Sequence, residues 1–548
     1  MKKLGLLLLG ILLLSCRQRE EIVPDHSAAQ PQLRAVSVSG TSLQLPDGGE
    51  AVLEFTVTDP LYAFNYDAQS AGFQLRLMRS GGQEPAEFRL VQVTPGAVPG
   101  HYSARVADEG TGQPYSQSVC LAVINGDVVV ASSYFTVSCL AEKHSTGDHP
   151  ETGLPVLYLD TQDKQPITSK EDYVAGSLYI RGNGAFADMD PAACEVRGRG
   201  NTTWEWPKKP YLVKLEKKAS LLGMPKHKRW VLLANFCDRT LMRNLVSMKV
   251  ASLTRLAWTP RCESVELVLN GKHMGNYLLI EQVRVDKDRV DIVEMTPEDN
   301  EGDAVTGGYL LELDFHFDNE IQWRDPHGRS HQPGFENSIP FGIKFPDPED
   351  LTLAQLGYIK GYVYAAAGAL YGPNSADPEK GYAAYLDVDS FIDYWLVFEV
   401  MGNHELGNPG SVFFHKDRGG KLVAGPCWDF DWGVLSYKTS PQARTGLINR
   451  HAIWYSALFD DPSFRDRVRD RFLELLPQLQ TIPAYMDQLQ EKLQESARLN
   501  FKMWNPAQDA SMNGGDIINV DENMSFDNAV ARLKANYKER LQVIRKVL

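Results

Sequence analysis

The sequence predicts an α+β chain in which an all-β, immunoglobulin-like sandwich precedes a larger part that begins in strands and ends in helices. Three observations predict it. Residues 35 to 141 alternate apolar and polar side chains in short runs between turn clusters, with almost no helical period. Residues 155 to about 315 continue in strand-like runs. From about residue 350 to residue 548, apolar residues recur at helical spacing.

The N-terminus comes first. Lys2 and Lys3 are a basic n-region, and Leu4 to Leu14 is an apolar run of 11 residues. That is the length of a signal h-region and well short of the roughly 18 residues of a spanning helix. Leu13-Leu14-Ser15-Cys16 ends the run as a lipobox, so residues 1–16 read as a lipoprotein signal with Cys16 as the lipidated residue. The alternative is an ordinary cleavable signal with a chance cysteine. Residues 17–34 are polar, contain prolines and have no apolar period, which makes them a tether. A lipid on Cys16 implies a chain held at the cell envelope, on the outer membrane or cell surface.

In residues 35–141 the strand signals include Ala51 to Val57, Phe73 to Leu77, Tyr102 to Val106 and Val128 to Val137. They carry no catalytic constellation, so this part reads as a spacer or binding module. Residues 142–154 form a second linker. Six cysteines follow Cys16, none in a C-x-x-C spacing, which argues against a zinc ribbon or thioredoxin motif. Cys120 and Cys139 have two readings, a disulfide or two buried thiols. The formal net charge of -14 argues against broad nucleic-acid binding. Oligomeric state is not written in the sequence.

Four segments of residues 155–548 carry chemistry. In Val196 to Trp204, Arg197 and Arg199 share a face if the strand continues, and Gly198 and Gly200 allow close backbone approach to an anion. A turn with two solvated arginines is the other reading. In Lys208 to Leu215, alternation puts Tyr211, Val213 and Leu215 on one side and Lys214 on the other. In Trp230 to Asn244, Asp238 is placed to cap a helix that carries Arg239 and Arg243 on one face. The alternatives there are surface arginines or a charged cluster near a ligand. The helix at Phe391 to Met401 has Asp389 or Ser390 as its cap, and Asn403-His404-Glu405 follows it. Then comes Trp428-Asp429-Phe430-Asp431-Trp432-Gly433. Its two acids at i, i+2 lie roughly 7 Å apart if the segment is extended. Carboxylates among large rings need partners, either a divalent cation or an arginine.

These segments, in this order, resemble the spore-coat protein H (CotH) family of atypical kinases across about residues 155 to 505. The resemblance rests on RGRGNTTW, PKKPYLVKL, LLGMPKHKRWVLLANFCDRTLMRN, VELVLNGKHMGNYLLIEQVRVDKDRV, GGYLLELD, DVDSFIDYWLVFEVMGN and KLVAGPCWDFDWG. It implies a divergent, bilobal protein-kinase-like fold over residues 155–548. It also implies transfer of the γ-phosphoryl of ATP, with Mg²⁺ or Mn²⁺, to hydroxyls of a secreted or surface protein. On that resemblance Arg197, Arg199, Lys209, Lys214, Glu281 and Asn403 would contact the nucleotide. Asp431 would be the metal ligand of a D-F-G-like turn, with Asp429 and Asn408 assisting, and Glu405 would be the catalytic base. Related sequences carry N-G-D where this chain has Asn403-His404-Glu405, so the acid is one methylene longer here. An exported kinase also needs a supply of ATP outside the cytoplasm.

Three functions therefore compete: an extracytoplasmic kinase, a catalytically degenerate kinase fold used for binding, and a carbohydrate-active enzyme built on paired carboxylates beside Trp428 and Trp432. The anchor is testable by itself. Cys16→Ala is expected to abolish labelling of the chain by a fatty-acid analogue, and unchanged labelling would refute the lipobox.

Overall fold

The computed structural model describes residues 35–548 apart from 41, 46–48, 59–72, 80–82, 99, 110–114, 126–127, 140–149, 317–319, 329–337, 439–440, 507–518, 520 and 522. Cys16, the tether and most of the second linker lie outside the described residues. Among the described residues no helix is long and apolar enough to cross a membrane. The chain divides into two compact units, residues 1–142 and 143–548.

The first unit is built of strands. They are β1 (Ala35–Val38), β2 (Ser42–Leu45), β3 (Glu50–Thr58), β4 (Phe73–Arg79), β5 (Phe88–Pro95), β6 (His101–Asp108), β7 (Tyr115–Asn125) and β8 (Val128–Cys139). They form two four-stranded sheets, β1-β3-β6-β5 and β2-β8-β7-β4. Side chains of both sheets share one core, including Leu53, Phe55, Tyr102 and Val106 from the first and Leu77, Val119, Leu121 and Val137 from the second. Alternation along β6 shows how the sequence enforces this: Tyr102, Ala104 and Val106 are buried while His101 and Arg105 are exposed. Cys120 and Cys139 are free thiols. Cys120 pairs across the strands with Tyr134, and Cys139 lies an odd number of residues beyond that position, so the two face opposite sides of the sheet.

The second unit opens with seven strands: β9 (Val156–Thr161), β10 (Val174–Arg181), β11 (Met189–Gly198), β12 (Tyr211–Ala219), β13 (His227–Leu233), β14 (Cys262–Leu269) and β15 (Lys272–Glu281). They close into a barrel in the order β10-β11-β12-β13-β15-β14-β9. Its interior holds Val196, Tyr211, Val213, Leu215, Trp230 and Leu279. The outward residues Leu212, Val231, Leu233, Leu278 and Ile280 belong instead to the large core of the unit. A five-stranded sheet follows, ordered β17-β18-β16-β19-β20, from β16 (Tyr309–Leu313), β17 (Gln322–Asp325), β18 (Ile339–Phe345), β19 (Val412–Lys416) and β20 (Leu422–Ala424). Two of its strands come from the part expected to be helical.

The helices are α1 (Arg243–Ala251), α2 (Leu353–Leu370), α3 (Val388–Val400), α4 (Pro462–Leu479), α5 (Ile482–Met503) and α6 (Phe526–Val547), with one-turn helices at Thr202–Glu205 and Tyr455–Leu458. The cap of α3 is Asp387, whose carboxylate accepts the Ser390 amide at 2.9 Å, two residues earlier than the sequence pattern suggested. Asp238 is not the cap residue of α1, which starts only at Arg243. Its carboxylate nonetheless accepts the Arg243 amide at 2.8 Å and the Thr240 amide at 2.9 Å.

Lys208 pins α5 to the barrel. It is fully buried, with Nζ donating to the Asn276 carbonyl and to Asn500 Oδ1 at 2.8 Å, 4.5 Å from the Tyr277 ring centroid. Burial pulls its pKa down to about 7, against an opposing pull from Glu266. Between about pH 7 and the ordinary lysine range near 10.5 the unfolded chain therefore carries a proton that the folded chain lacks. Stability from this group is complete above that window and is lost as the pH falls through it. Lys208→Met is expected to be less stable than the parent at pH 9, because Asn276 and Asn500 lose a donor. The gap should narrow toward pH 7 by at most about 1.4 kcal/mol per unit. Urea denaturation at pH 7, 8 and 9 checks this; a constant gap means the lysine stays charged.

Candidate active site

The site sits where one end of the barrel meets one end of the sheet. In the antiparallel arrangement of β16, β19 and β20, Leu313 pairs with Val412 and Phe414 with Ala424. Asp314 after β16, the Gly402–Ser411 loop before β19, and the Gly425–Gly433 loop after β20 thus leave the sheet at the same end. At the barrel, Gly198 pairs with Tyr211 and Tyr211 with Leu232. The Gly-rich turn after β11 and the Phe236–Asp238 turn after β13 thus leave one end as well.

Aromatic packing joins the two ends. Trp206 stacks on Trp432 with ring centroids 6.0 Å apart, and Phe236 and Cys237 complete the cluster. The Arg199 guanidinium lies 5.8 Å from the Trp428 ring centroid. The glycines of the turn serve this fold. A Cβ on Gly198 would sit 2.3 Å from the Trp204 ring, and Gly200 holds φ +86° with Thr203 Oγ1 against it. The close approach at Gly198 is therefore to a tryptophan of its own turn.

Four carboxylates meet in the recess. Asp431 is 6% exposed, while Glu405 and Asp429 are partly accessible. Burial and repulsion from Asp429 and Asp431 push Glu405 well above the usual carboxylate range, Asp314 adds to the push, and the nearby Asn403 amide opposes it. Burial, Asp429 and Asp238 raise Asp431 well above that range against the pull of Arg199. Asp429 is raised by burial and by Asp314, while Arg199 and a hydrogen bond from Asp431 act downward. Burial is the leading cause of all three shifts, with like charge added at Glu405 and Asp431, and a bound cation would oppose them. The segment is not the extended strand that the i, i+2 spacing suggested: Asp429 sits at φ +63°. A left-handed non-glycine residue at this point is local strain, of order 1–3 kcal/mol.

Backbone positions are held from behind. Asn403 Oδ1 accepts the Glu405 amide at 2.8 Å, and the Asn403 carbonyl accepts Asn449 Nδ2 at 2.9 Å. Asn244 Oδ1 accepts the Phe430 amide at 2.8 Å, and Asn244 Nδ2, also buried, has no partner among the described residues. Asp314 accepts the His316 amide and, at 3.3 Å, the Ser411 amide.

Of the residues singled out in the sequence, the structure gathers Arg199, Asn403, Glu405, Asp429 and Asp431. Asn408 lies on the same loop as Glu405, half-buried. Others have different company. Lys214 points outward from the barrel, pairs with Glu195 at 3.1 Å and lies 5.6 Å from the Tyr173 ring centroid. It is three residues along β12 from Tyr211, about 10 Å from the end that carries the site. Arg197 stays on β11 over the same Tyr173 ring, so it shares no face with Arg199, which lies beyond the strand. Lys209 donates to the Trp204 carbonyl inside its own turn. Glu281 is fully buried in a pair with Arg261 at 2.9 Å, opposite Trp230 and away from the site end of β15. Arg239 and Arg243 are buried, not solvated.

Asp314 was missed as a site residue. Its signal was present: it ends GGYLLELD, directly after a strand in which all five residues are buried. Asp238 was read only as a cap, and it also acts on Asp431.

The donors fit a Mg²⁺- or Mn²⁺-type ion. Among the described residues no three carboxylate, imidazole or thiol groups are placed to close on one ion. Mg²⁺ uses one or two carboxylates and completes its shell with water and phosphate oxygens. Asp429 and Asp431 supply such a pair, and Arg199 supplies a donor for oxyanions.

A strand barrel whose Gly-rich turn packs onto an acidic Asp-Trp-Gly loop belongs to the class of kinase-like folds. The profile of the CotH kinase protein family matches residues 196–544, and the chain belongs to that family. No curated protein matches the chain significantly. Among solved structures, a marsupial T cell receptor chain aligns with 36% of this chain and 97% of its own length at 11% identity. Its TM-score of 0.13 is too low to bear on the fold.

Proposed function

We propose that residues 143–548 form a phosphotransferase of the CotH kinase type, with the barrel as small lobe and the sheet with α2–α6 as large lobe. We read the first unit as an immunoglobulin-like spacer or binding module, and Cys16 as a lipid anchor that presents both at the cell envelope. The observation that supports the catalytic reading is the juxtaposition of Arg199 with Asp429 and Asp431, drawn from two segments far apart in sequence.

ATP with Mg²⁺ or Mn²⁺ would supply the transferable phosphoryl group when bound. Asp431 and Asp429 hold the cation, and Arg199 offsets charge on phosphate oxygens, the role the sequence assigned to Lys214. Glu405 takes the proton of the acceptor hydroxyl on a secreted or surface protein. The arrangement works by positioning and charge neutralisation, as phosphoryl transfer requires.

The degenerate-kinase reading draws support from the Lys214–Glu195 pair and from the longer acid at 405. The carbohydrate reading loses its platform, since Trp428 is 6% exposed and Trp432 stacks on Trp206.

Thermal shift of the chain with ATP and Mn²⁺ tests the assignment. Ligand at 100 times its dissociation constant adds about 2.7 kcal/mol. Asp431→Ala is expected to remove the metal-dependent shift, and Glu405→Gln to keep the shift while losing any phosphoryl transfer. A parent chain that shows no metal-dependent shift refutes the nucleotide site. Transfer that rises from nothing in Glu405→Asp establishes the natural protein as the degenerate form.

A further inference from the structure

The segment that follows α5 returns to the acid loop and ties it down. Asn519 is 1% exposed, and its amide spans two loops: Nδ2 donates to the Cys237 carbonyl at 2.9 Å and to the Asp431 carbonyl at 3.1 Å, while Oδ1 accepts the Gly433 amide at 3.1 Å. Asp521, also 1% exposed, pairs with Arg243 at 2.5 Å, and Arg243 pairs with Asp238 and donates through Nε to the Val434 carbonyl at 3.1 Å. Arg239 Nε donates to the Met524 carbonyl at 2.7 Å. Asn519, Asp521 and Met524, just before α6, thus hold the turn after β13 and the loop after β20 together. Both contacts on the acid loop fall just after the Asp431 side chain: one on its own carbonyl, one on the amide two residues later.

We propose that Asn519 is a positioning residue for the cation site, fixing the backbone that directly follows the Asp431 side chain so that its carboxylate is held beside Asp429. This rests on the reading of Asp429 and Asp431 as cation ligands. The physical reason is geometric. The left-handed turn at Asp429 stores strain, and a short loop with strained φ keeps its shape only where outside contacts over-determine it. The loop has further pins, among them Asn244 on the Phe430 amide, Arg243 on the Val434 carbonyl, the Leu435 amide donating to the Met401 carbonyl at 3.0 Å, and the Cys237 thiol 3.9 Å from the Asp431 carbonyl. Of these only the long thiol contact reaches Asp431, and Asn519 joins the Asp431 carbonyl to the Gly433 amide. Partners that orient a metal ligand without touching the metal typically contribute 10- to 100-fold to affinity.

The test uses Mn²⁺ alone as the probe, titrated into the full chain and read by electron paramagnetic resonance. Urea unfolding of the metal-free chain and hydrogen exchange of residues 428–435 run in parallel. Asn519→Ala is expected to weaken Mn²⁺ binding roughly 10- to 100-fold. It should speed exchange at the Gly433 amide and lower the urea midpoint, with the chain still folded in the absence of urea, where Mn²⁺ is titrated. If Asn519→Ala does not fold, Asn519→Leu takes its place; it is close to asparagine in shape, removes all three hydrogen bonds without adding charge, and should weaken Mn²⁺ in the same direction. Mn²⁺ affinity within twofold of the parent in the folded variant overturns the positioning role and leaves the cation site standing. A parent chain that binds no Mn²⁺ overturns the cation site itself, and the inference with it.

Discussion

A fully buried ion pair between Arg540 on the last helix and Glu399 in the final turn of α3 is the constraint on which the rest of the large unit depends. Neither side chain is exposed to solvent. Burial raises the proton affinity of Glu399 and lowers that of Arg540, and each opposes the shift of the other. Such a pair is tolerable only when its remaining hydrogen-bonding capacity is filled. Here it is: Arg540 also donates to the carbonyls of Glu399, Ala443 and Gly446, and Glu399 accepts the amides of Ile448 and Asn449. The consequences run directly to the site. Glu399 ends α3 three residues before Gly402, Asn449 reaches from the same network to the Asn403 carbonyl, and Asn403 holds the Glu405 amide. The C-terminal helix thereby fixes the loop that carries the acid.

The site itself inverts that logic. Around Glu399 every charge has a partner; around Glu405, Asp429 and Asp431 carboxyl groups crowd together, with Arg199 opposing the shifts of the two aspartates. Keeping carboxyl groups together in a partly dry recess costs stability. The fold supplies that stability elsewhere, through the Arg243 pairs, the Trp206–Trp432 stack and the Arg540 network. Crowded carboxyl groups with raised proton affinity mark a candidate site, and a satisfied pair marks a structural one.

Much of the fold could be read from local pattern. The alternation in β6, the strand at β9 and the last helix, which spans Phe526–Val547, all followed periodicity. What pattern did not carry was closure. Nothing local says that β9 pairs in parallel with β14 to complete a barrel, or that β19 and β20 join β16 from beyond two helices. The same limit applied at the site. Arg199, Asp429 and Asp431 stood out as unusual residues beside glycines and tryptophans. Lys214 also stood out, because a lysine on a strand next to a Gly-rich turn suits phosphate. Strand alternation correctly sent it to the outer face, but only the barrel's curvature and Glu195 decided what it meets there. Asn519 gave no signal, since an asparagine in a polar stretch looks like any turn residue. Its importance comes wholly from contacts more than 80 positions away.

The longer acid at position 405 is best judged by where its backbone is anchored. With the Glu405 amide held by Asn403, and Asn403 held by Asn449, the loop does not drift back to absorb the extra methylene. The carboxyl group feels burial first and then Asp429 and Asp431, so it shares a recess with both. Yet no three acidic, imidazole or thiol groups among the described residues close on a single ion. Reach toward the pair is therefore not incorporation into it. The two aspartates on the loop after β20 and the glutamate on the loop before β19 remain on separate supports, one held by Asn244 and Asn519 and the other by Asn403. On the function proposed above, a cation ligand set and a proton acceptor would need that separation: close enough to act on one phosphoryl group and its acceptor, far enough that the base is not consumed as a ligand.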